Sequence, residues 1–482
     1  MRSLKLLRES EVDKEEFRKN AHEIVDWVAD YLDGVRDFPV RSQVAPGDVR
    51  GQLPDAPPAK PEGFDALMAD FKDIILPGVT HWQHPRFFAY FPANVMPASQ
   101  LAEMLISALG INAMLWETSP AATELEEAMM AWLKDMLDLP RAWAGVIQDT
   151  ASSATFCAVL AARERATDWR VNEDGLQEAP KMAFYTSSEA HSSLEKAVKM
   201  AGLGRASIRL VPTDRDHAMK PNALAAMIDE DRKAGIVPAM VMATVGSTSV
   251  GASDPLKAIG VIARQSGLYF HVDAAWAGSA MICPEFRYLL AGVEAADSFV
   301  FNPHKWMGVQ FDCTAHFVRD QDTLVRTLTI LPAYLETREG AEVTDYRDWG
   351  IQLGRRMRAL KLWFVIRLTG VEGLQAMIRN HVVWAEDLAK AVKAAEDFEL
   401  VSGPNLSLMA FRFRPAGLAD GEVDTLSDRL LQAVNDDGFT YLTRTVVGGR
   451  PVIRFQIGQV HTTRDDVMAA WERVVGIARS MV

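Results

Sequence analysis

The stretch LYFHVDAAWAG (268–278), followed along the chain by DSFVFNPHKWMG (297–308), indicates the fold of this protein. Each contains a short apolar run that is followed by polar residues: Asp273 follows the first run, and Asn302, His304 and Lys305 follow the second. Short runs that are apolar on both faces are typical of strands in a parallel sheet between layers of helices. Ligands bind beyond the carboxyl ends of such strands, so these polar residues are candidates for a functional site.

Similar patterns extend this architecture toward the N-terminus. Two further apolar runs predict strands, KMAFYTS (181–187) and AMVMATV (239–245). Helical patterns occur at LAEMLISALG (101–110), ATELEEAMMAWLKDML (122–137), ASSATFCAVLAARERA (151–166) and HSSLEKAVKMAG (191–202). Strands that alternate with helices predict a large α/β domain with a mostly parallel sheet, which we assign to residues 86–375.

The two ends of the chain differ from this middle part. The strand patterns NLSLMAFRF (405–413), FTYLTRTVV (439–447) and PVIRFQIG (451–458) occur with helices at 422–436 and 463–480. They predict a smaller α+β domain at 376–482. At the other end, an apolar stripe at helical spacing over 14–34 precedes a connection rich in Pro and Gly at 44–63. We expect residues 1–85 to form a helical segment whose stripe needs the main body or a second subunit to cover it.

Composition restricts the class of protein and its partners. The chain has 482 residues, of which 49% are apolar and 24% charged, as in ordinary globular proteins. Its net charge of −13 argues against nucleic acid or an anionic membrane as a partner. No run approaches the ~20 apolar residues of a membrane helix, and the first residues lack a signal-peptide pattern. Cys157, Cys283 and Cys313 lack C-x-x-C spacing, which favours reduced core cysteines and a cytoplasmic protein.

Asp273 and Lys305 are the two charged residues at the predicted strand ends. They lie 32 residues apart in sequence, and a buried salt bridge would account for both. An alternative is a site for pyridoxal 5′-phosphate (PLP), which needs a carboxylate at its ring nitrogen and a lysine amine at its aldehyde. Spacing alone leaves both interpretations open.

Longer motifs carry a resemblance to a known family. The strings include HPRFFAYFPAN (84–94), SPAATELE (119–126), AHSSLEKA (190–197), HVDAAWAG (271–278), NPHKW (302–306) and LGRRMRALKLWF (353–364). Over nearly its whole length the chain resembles the PLP-dependent aromatic-L-amino-acid decarboxylases (group II). The resemblance implies PLP fold type I, the aspartate-aminotransferase-like α/β fold. That fold has a mostly parallel seven-stranded sheet in the large domain, a smaller α+β C-terminal domain and an N-terminal helical segment.

The resemblance also implies a cofactor site in which Lys305 forms a Schiff base with PLP and Asp273 keeps its ring nitrogen protonated. The segment VIQDTASSATF (146–156) is a strand-to-helix junction at which a helix N-terminus would hold the phosphate. The implied cofactor-binding residues are Lys305, Asp273, His191, Thr150, Ala151, Ser152, Thr248, Ala275, Asn302 and His304. The family usually has Gly-Ser-Ala-Ser here, so Asp149 and Thr150 are departures, and we expect Asp149 to point away from the phosphate. Considered without the resemblance, His191 would be a helix cap or a solvated side chain, and His271 is expected in the core.

The resemblance assigns the proton-donating step to Tyr334. It lies in LTILPAYLETREGAEVTDYRDW (328–349), a segment with a polar middle that we expect to be a mobile surface loop. After CO₂ leaves, Cα must be protonated, and a phenol with a pKa of about 10 still carries its proton at neutral pH. Plant relatives with Phe at this position are aldehyde synthases. Tyr334 therefore favours decarboxylation, with Lys305, Asp273 and His191 as the other catalytic residues.

For the substrate, the resemblance implies an apolar slot suited to a flat ring. Its implied residues are Trp82, Tyr90, Phe91, Pro92, Phe311 and Gly354, although each aromatic residue alone would be assigned to core packing. Histidine decarboxylases and many plant tyrosine decarboxylases have Ser in place of Gly354, so glycine leaves room for a larger ring. Asn112 and Met114 replace larger apolar residues that in animal members reach the neighbouring subunit's site. We predict no metal site, because the neighbouring His81 and His84 have no carboxylate or third ligand near them in sequence.

The prediction is therefore a homodimeric carboxy-lyase that converts an aromatic L-amino acid into the arylalkylamine and CO₂. Two alternatives remain at this point. One is an aldehyde synthase that also consumes oxygen, and the other is a catalytically inactive PLP-binding or scaffold protein.

Overall fold

The computed structural model of the chain describes residues 13–330 and 342–482. Eleven strands are found in these ranges. They are β1 (Ala144–Gln148), β2 (Met182–Ser187), β3 (Ile208–Val211), β4 (Val237–Thr244), β5 (Tyr269–Asp273), β6 (Ser298–Phe301), β7 (Thr314–Val318), β8 (Phe398–Asn405), β9 (Leu408–Phe413), β10 (Thr443–Val447) and β11 (Arg450–Gln456).

The α-helices of the described residues are, in chain order, α1 (Lys14–Gly34), α2 (Phe64–Asp70), α3 (Pro97–Leu109), α4 (Pro120–Leu137), α5 (Ala151–Ala166), α6 (Arg170–Asp174), α7 (Ser193–Met200), α8 (Pro221–Lys233), α9 (Leu256–Ser266), α10 (Pro303–Trp306), α11 (Gln321–Leu328), α12 (Arg358–Ala394), α13 (Asp420–Asp437) and α14 (Arg464–Arg479). Several short 3₁₀ segments occur between them, among them Tyr346–Trp349. No helix in the described ranges is long and apolar enough to cross a membrane.

The first seven strands form one sheet in the order β1-β7-β6-β5-β4-β2-β3. β7 runs antiparallel to both of its neighbours, and the remaining pairs are parallel. β2, β5, β6 and β7 are buried along their whole length because helices cover both faces. The predicted mostly parallel seven-stranded sheet is therefore confirmed.

The other four strands form an antiparallel sheet in the order β10-β11-β9-β8, packed against α12, α13 and α14 through a separate apolar core. Thr463 caps α14 and forms a capping box with Asp466. α12 spans residue 375 and has non-helical backbone angles at Gly370, where φ is 71°. The domain boundaries at 85 and 375 stay a prediction.

At the N-terminal end, α1 forms as predicted and has no buried residue in its 21 positions. Its C-terminal part contacts the rest of the chain: the Tyr31 hydroxyl lies 2.8 Å from Nδ1 of His81, and the Trp27 ring packs on Phe71. Phe17, which lies near the start of the helix, is 64% exposed. The N-terminal part of the apolar stripe, which includes Phe17 and Ile24, is thus uncovered within a single chain.

Candidate active site

A cleft lies beyond the carboxyl ends of β4, β5 and β6, where the sequence predicted a ligand site. The structure brings together all ten residues that were expected to bind the cofactor. The lining residues are Thr150, Ala151, Ser152, His191, Thr248, Asp273, Ala275, Asn302, His304 and Lys305, together with Phe91, Thr244, Gly246 and Trp276. They come from six separate segments of sequence, so the cleft exists only in the folded sheet.

Asp273 is the last residue of β5 and is buried. One of its carboxylate oxygens accepts the Ala275 backbone N–H at 3.0 Å. Within residues 13–330 and 342–482, the other oxygen accepts no hydrogen bond and no cation pairs with the carboxylate. Asp273 is therefore held in place by the backbone with one oxygen available to a ligand.

Lys305 lies in α10, the short helix that follows β6. Its Nζ is 5.2 Å from the centre of the Phe91 ring, and it forms no ion pair with any residue that the structure describes. Burial and the nearby Arg454 cation lower the pKa of Lys305 to about 8, although Asp273 acts in the opposite direction. A plain salt bridge with Asp273 is not formed, and the amine is kept in a state suited to nucleophilic attack.

Two histidines of the cleft have their tautomers set by backbone N–H groups. Nδ1 of His191 accepts the Ser193 N–H at 3.1 Å, and Nδ1 of His304 accepts the Cys313 N–H at 3.0 Å. In the neutral ring the proton is therefore on Nε2 in each case. Burial lowers the pKa of both rings, that of His304 to about 3. His191 therefore accepts a backbone N–H at the start of α7 and also lines the cleft. The sequence had presented these two roles as alternatives.

The phosphate end of the cleft is the junction between β1 and α5. Thr150 is the N-cap of α5, and its hydroxyl accepts the Ser153 N–H. The backbone N–H groups of Ala151 and Ser152 are in the first turn, where they have no partner within the helix. Asp149 does not line the cleft, as expected, because its carboxylate turns toward Gln352.

Arg454 is a residue of the site that the sequence reasoning missed. It lies in β11, is only 4% exposed, and its guanidinium carbon is 4.6 Å from the centre of the Phe91 ring. One nitrogen donates to the Tyr90 carbonyl at 2.8 Å, whereas Nε and Nη2 are buried without a partner in the described residues. Burial lowers the pKa of Arg454 to about 9. A cation inside the apolar run PVIRFQIG was the signal in the sequence.

Stacked aromatic rings form one wall of the cleft. Phe91 stacks on Trp276 at 4.5 Å, and Trp276 stacks on Trp306 at 4.7 Å. The Trp306 indole donates to Nδ1 of His381 at 2.9 Å, which fixes the end of the stack. Phe91 is therefore both a packed aromatic residue and a wall of the cleft beside Lys305.

The other residues predicted for the substrate do not line this cleft. Trp82 and Tyr90 stack on each other at 5.8 Å and are partly exposed. Phe311 packs edge-on against the His304 ring at 4.7 Å. Pro92 is buried, and Gly354 is exposed beside the Asn112 side chain. Within a single chain, Phe91 alone of the six joins the cleft.

Four further predictions concern residues outside this cleft. Tyr334 lies outside the described residues. His81 is buried next to the Tyr31 hydroxyl, and Nδ1 of His84 accepts the Arg86 N–H at 2.9 Å, so both rings have structural partners. His271 is buried in the core, 2.7 Å from the Ser298 hydroxyl, as expected. The three cysteines are free and buried, also as expected.

The donor and acceptor groups of the cleft fit PLP. First-turn N–H groups of α5 suit a phosphate, Asp273 suits a protonated ring nitrogen, and Lys305 supplies an amine for an aldehyde. The Thr244 hydroxyl and the Trp276 indole N–H are buried without partners in the described residues, although both side chains line the cleft. Buried polar groups without partners are costly unless a ligand satisfies them.

Comparison with known proteins supports this fit. Residues 46–414 match the family model described as the pyridoxal-dependent decarboxylase conserved domain. The aromatic-L-amino-acid decarboxylase of Rattus norvegicus is 41% identical over 487 residues, which cover 98% of this chain and 99% of that protein. The phenylacetaldehyde synthase of Arabidopsis thaliana is 42% identical over 471 residues, which cover 96% of this chain and 95% of that protein.

The fold has a close counterpart among solved structures. The crystal structure of Oryza sativa TDC with PLP and tryptamine superposes with a TM-score of 0.95 at 37% identity, covering 98% of this chain and 99% of that one. The chain therefore belongs to the family of pyridoxal-dependent decarboxylases, carboxy-lyases whose cofactor is pyridoxal 5′-phosphate.

Proposed function

We propose that this enzyme decarboxylates an aromatic L-amino acid and releases CO₂ and the arylalkylamine. The observation that carries the proposal is the surroundings of Phe91. Its ring has the Lys305 amine 5.2 Å from its centre and the Arg454 guanidinium 4.6 Å from it, and it stacks on Trp276. An amine, a cation without a counter-ion and an aromatic wall are the groups that an aromatic amino acid needs around its Cα, carboxylate and ring.

Each group has a distinct task in this proposal. When bound, PLP supplies an electron-accepting ring that stabilises negative charge at Cα. Lys305 would hold the cofactor through its amine, and Asp273 would keep a proton at the ring nitrogen. Arg454 binds the substrate carboxylate through Nε and Nη2, which orients the bond that breaks. The aromatic walls exclude water from it.

Tyr334 completes the reaction by donating its phenolic proton to Cα. The support for this step is the sequence alone, namely a tyrosine at the position where aldehyde synthases of the family have phenylalanine. The alternative function is an aromatic aldehyde synthase, since the chain is as similar to the Arabidopsis thaliana phenylacetaldehyde synthase as to the Oryza sativa tryptophan decarboxylase 2, at 42% identity to each.

One assay separates the two reactions. We expect the enzyme, incubated with an aromatic L-amino acid, to release one amine for each CO₂ and no hydrogen peroxide. The Tyr334→Phe variant should make less amine and produce aldehyde and peroxide instead. Peroxide in a one-to-one ratio with CO₂ from the unmodified enzyme would refute decarboxylation as its main reaction. An enzyme that released no CO₂ from any aromatic amino acid would favour the scaffold interpretation.

We propose that Gly354 helps to determine the size of the aromatic ring that the enzyme accepts. A Cβ placed on Gly354 would lie 3.7 Å from Nδ2 of Asn112, at ordinary van der Waals distance. Gly354→Ser should therefore be accommodated by the fold while reducing the space beside Asn112. In a panel of tryptophan, DOPA, 5-hydroxytryptophan, tyrosine and phenylalanine, we expect this variant to lose most activity on the indole substrates. Histidine or glutamate as the best substrate would contradict the proposed slot.

We further propose that two copies of the chain form a homodimer through α1 and α3. Together they line one groove, with Phe17, Ala21 and Ile24 on one side and Met104 and Ala108 on the other. The outer face of α3 is also apolar and exposed at Leu101, Leu105 and Leu109. Exposed apolar surface of this extent is typical of an interface. A second copy presents the same surface, so the two can cover each other.

The state of the cysteines bears on the compartment in which the enzyme works. The three cysteines are free and buried, which is typical of proteins kept in a reducing compartment. We therefore propose that the enzyme works in the cytoplasm.

A further inference from the structure

Asp149 places a negative charge directly before the helix N-terminus that binds the cofactor phosphate. It lies between the end of β1 and Thr150, the N-cap of α5. The next residues, Ala151 and Ser152, line the cleft. The positive end of the α5 dipole favours an anion at this point, whereas a carboxylate next to it opposes a phosphate that carries about two negative charges.

The carboxylate is held in this position by two neighbours. Oδ1 accepts the Thr150 backbone N–H at 2.6 Å, and Oδ2 accepts the Gln352 side-chain amide at 3.2 Å. The Asp149 carbonyl accepts the Thr314 hydroxyl at 3.1 Å, which fixes the backbone as well. Asp149 is therefore held in place and does not swing freely into solvent.

In the part of the chain that the structure describes, no cation forms an ion pair with this carboxylate, although Asp149 contributes, after Asp312 and Cys313, to raising the pKa of Arg358. Across residues 13–330 and 342–482, Asp149 has no lysine or arginine at ion-pair distance, and Arg358 is already paired with Asp312 at 2.6 Å. The cleft residues at the phosphate end, Thr150, Ala151 and Ser152, are themselves uncharged. The Thr150 N–H, which faces the same junction, is occupied by Asp149 and not offered to the phosphate.

We propose that Asp149 lowers the affinity of this enzyme for the cofactor phosphate, so that PLP is held less tightly than the fold would allow. The effect has two parts. Charge repulsion acts on the phosphate directly, and the hydrogen bond to Asp149 removes one backbone donor from the junction. Consequently, the fraction of enzyme molecules that carry PLP depends on the supply of PLP, and the cofactor exchanges between enzyme molecules.

The test uses full-length protein titrated with PLP and, separately, with pyridoxal, which lacks the phosphate. Asp149→Asn removes the charge and keeps an oxygen for the Thr150 N–H, although the Gln352 amide loses its acceptor. Asp149→Ala removes the charge and both acceptors. We expect Asp149→Asn to lower the Kd for PLP about tenfold and to leave the Kd for pyridoxal nearly unchanged. Cofactor release from the holoenzyme should slow by a similar factor.

Asp320→Asn is the matched control. Asp320 also precedes a helix and accepts a backbone N–H, that of Asp322 at 3.1 Å, but it does not line the cleft. It changes the net charge by the same amount and should leave PLP binding unaltered. An equal or weaker affinity of both Asp149 variants for PLP would overturn the proposal, and so would an equal gain for pyridoxal. Neither result depends on which amino acid the enzyme decarboxylates.

Discussion

At the scale of single residues, the charge of Arg454 acts on Lys305, which lines the cleft. Arg454 is buried without a counter-ion, and burying a charge in this way costs free energy of folding. The same positive charge helps to lower the pKa of Lys305 to about 8. Arg454 therefore destabilises the folded protein, yet it is retained at a position where the carboxylate of a substrate would pair with it.

We expect Arg454→Met to make the protein more stable and less active. Replacing a buried cation that has no counter-ion by an apolar side chain of similar length should raise the free energy of unfolding by roughly 1–3 kcal/mol. The KM for the amino acid should rise at least tenfold because the carboxylate loses its partner. Urea unfolding and steady-state kinetics measure the two effects.

Arg412→Met is the comparison for this variant. Arg412 is also buried in the second sheet, on β9, but it is paired with Asp424, and Glu399 lies 3.7 Å away. Its replacement should lower the free energy of unfolding and leave KM unchanged. If Arg454→Met were destabilised like Arg412→Met and kept its KM, Arg454 would be a structural residue only.

Lys305 leads to a prediction about pH. Covalent capture of PLP needs the neutral amine, and a pKa lowered to about 8 makes this form available well below the range of an ordinary lysine. The rate of capture by the apoprotein should therefore rise with pH and level off above about 8. In Arg454→Met the midpoint should move to higher pH, because a charge that lowers the pKa has been removed.

Absorbance after rapid mixing with PLP at a series of pH values measures this profile. Lys305→Ala, which has no amine to react, provides the baseline. A rate that kept rising to pH 10 would show that the cleft does not lower the pKa of Lys305.

The sequence predicted the residues around the cofactor because short motifs carry them. Asp273 and Lys305 follow buried strands, and strand ends converge at one edge of a parallel sheet. Arg454 lies 149 positions after Lys305, in the second sheet. No local pattern connects these two positions, so their proximity depends on how the second sheet packs against the first.

At the scale of secondary structure, the end of β1 is fixed by a buried ion pair. Arg355 donates to Glu126 at 2.6 Å and to the Ile147 carbonyl at 2.9 Å, while Glu126 accepts the Ile147 N–H at 2.8 Å. Ile147 lies only three residues before Thr150, the first residue of the β1–α5 junction that lines the cleft. Arg355, which follows the loop predicted at 328–349, therefore helps to hold the junction between β1 and α5 in place.

Arg355→Met should leave the Glu126 carboxylate buried without a cation, with only the Ile147 N–H as partner. We expect it to lower the free energy of unfolding by ~3–5 kcal/mol and to weaken PLP binding. Arg379→Met, which breaks an exposed pair with Glu285, should lower the free energy of unfolding far less. Denaturant unfolding of both variant holoenzymes measures these changes. Equal losses of unfolding free energy would show that burial does not make the Arg355–Glu126 pair more important for stability than the exposed pair.

Most elements were predictable, and the missed ones have physical explanations. β2, β4, β5 and β6 are buried on both faces and read as continuous apolar runs. β7 was not predicted, because TAHFV is short and contains a buried histidine, His316. β3 at the sheet edge has only one buried residue and lacks a clear apolar run.

At the scale of the whole molecule, the uncovered stripe on α1 predicts a dimer. Ile24 and Leu105 are 41% and 47% exposed, and each lies on a helix that borders the proposed interface. Charges at these positions would have to be desolvated between two copies, whereas they are tolerated on a free surface. The double variant Ile24→Glu, Leu105→Glu should therefore fold normally and fail to dimerise.

Sedimentation equilibrium provides the measurement. The unmodified enzyme should have twice the chain mass of 53.3 kDa, and the double variant the mass of one chain. Val261→Glu, on the exposed side of α9 and 50% exposed, adds a charge away from the groove and should remain a dimer. A monomeric unmodified enzyme would remove the proposed interface altogether. A double variant that remained dimeric would place the interface on another surface, because two buried carboxylates without partners cost more than the apolar contacts they replace.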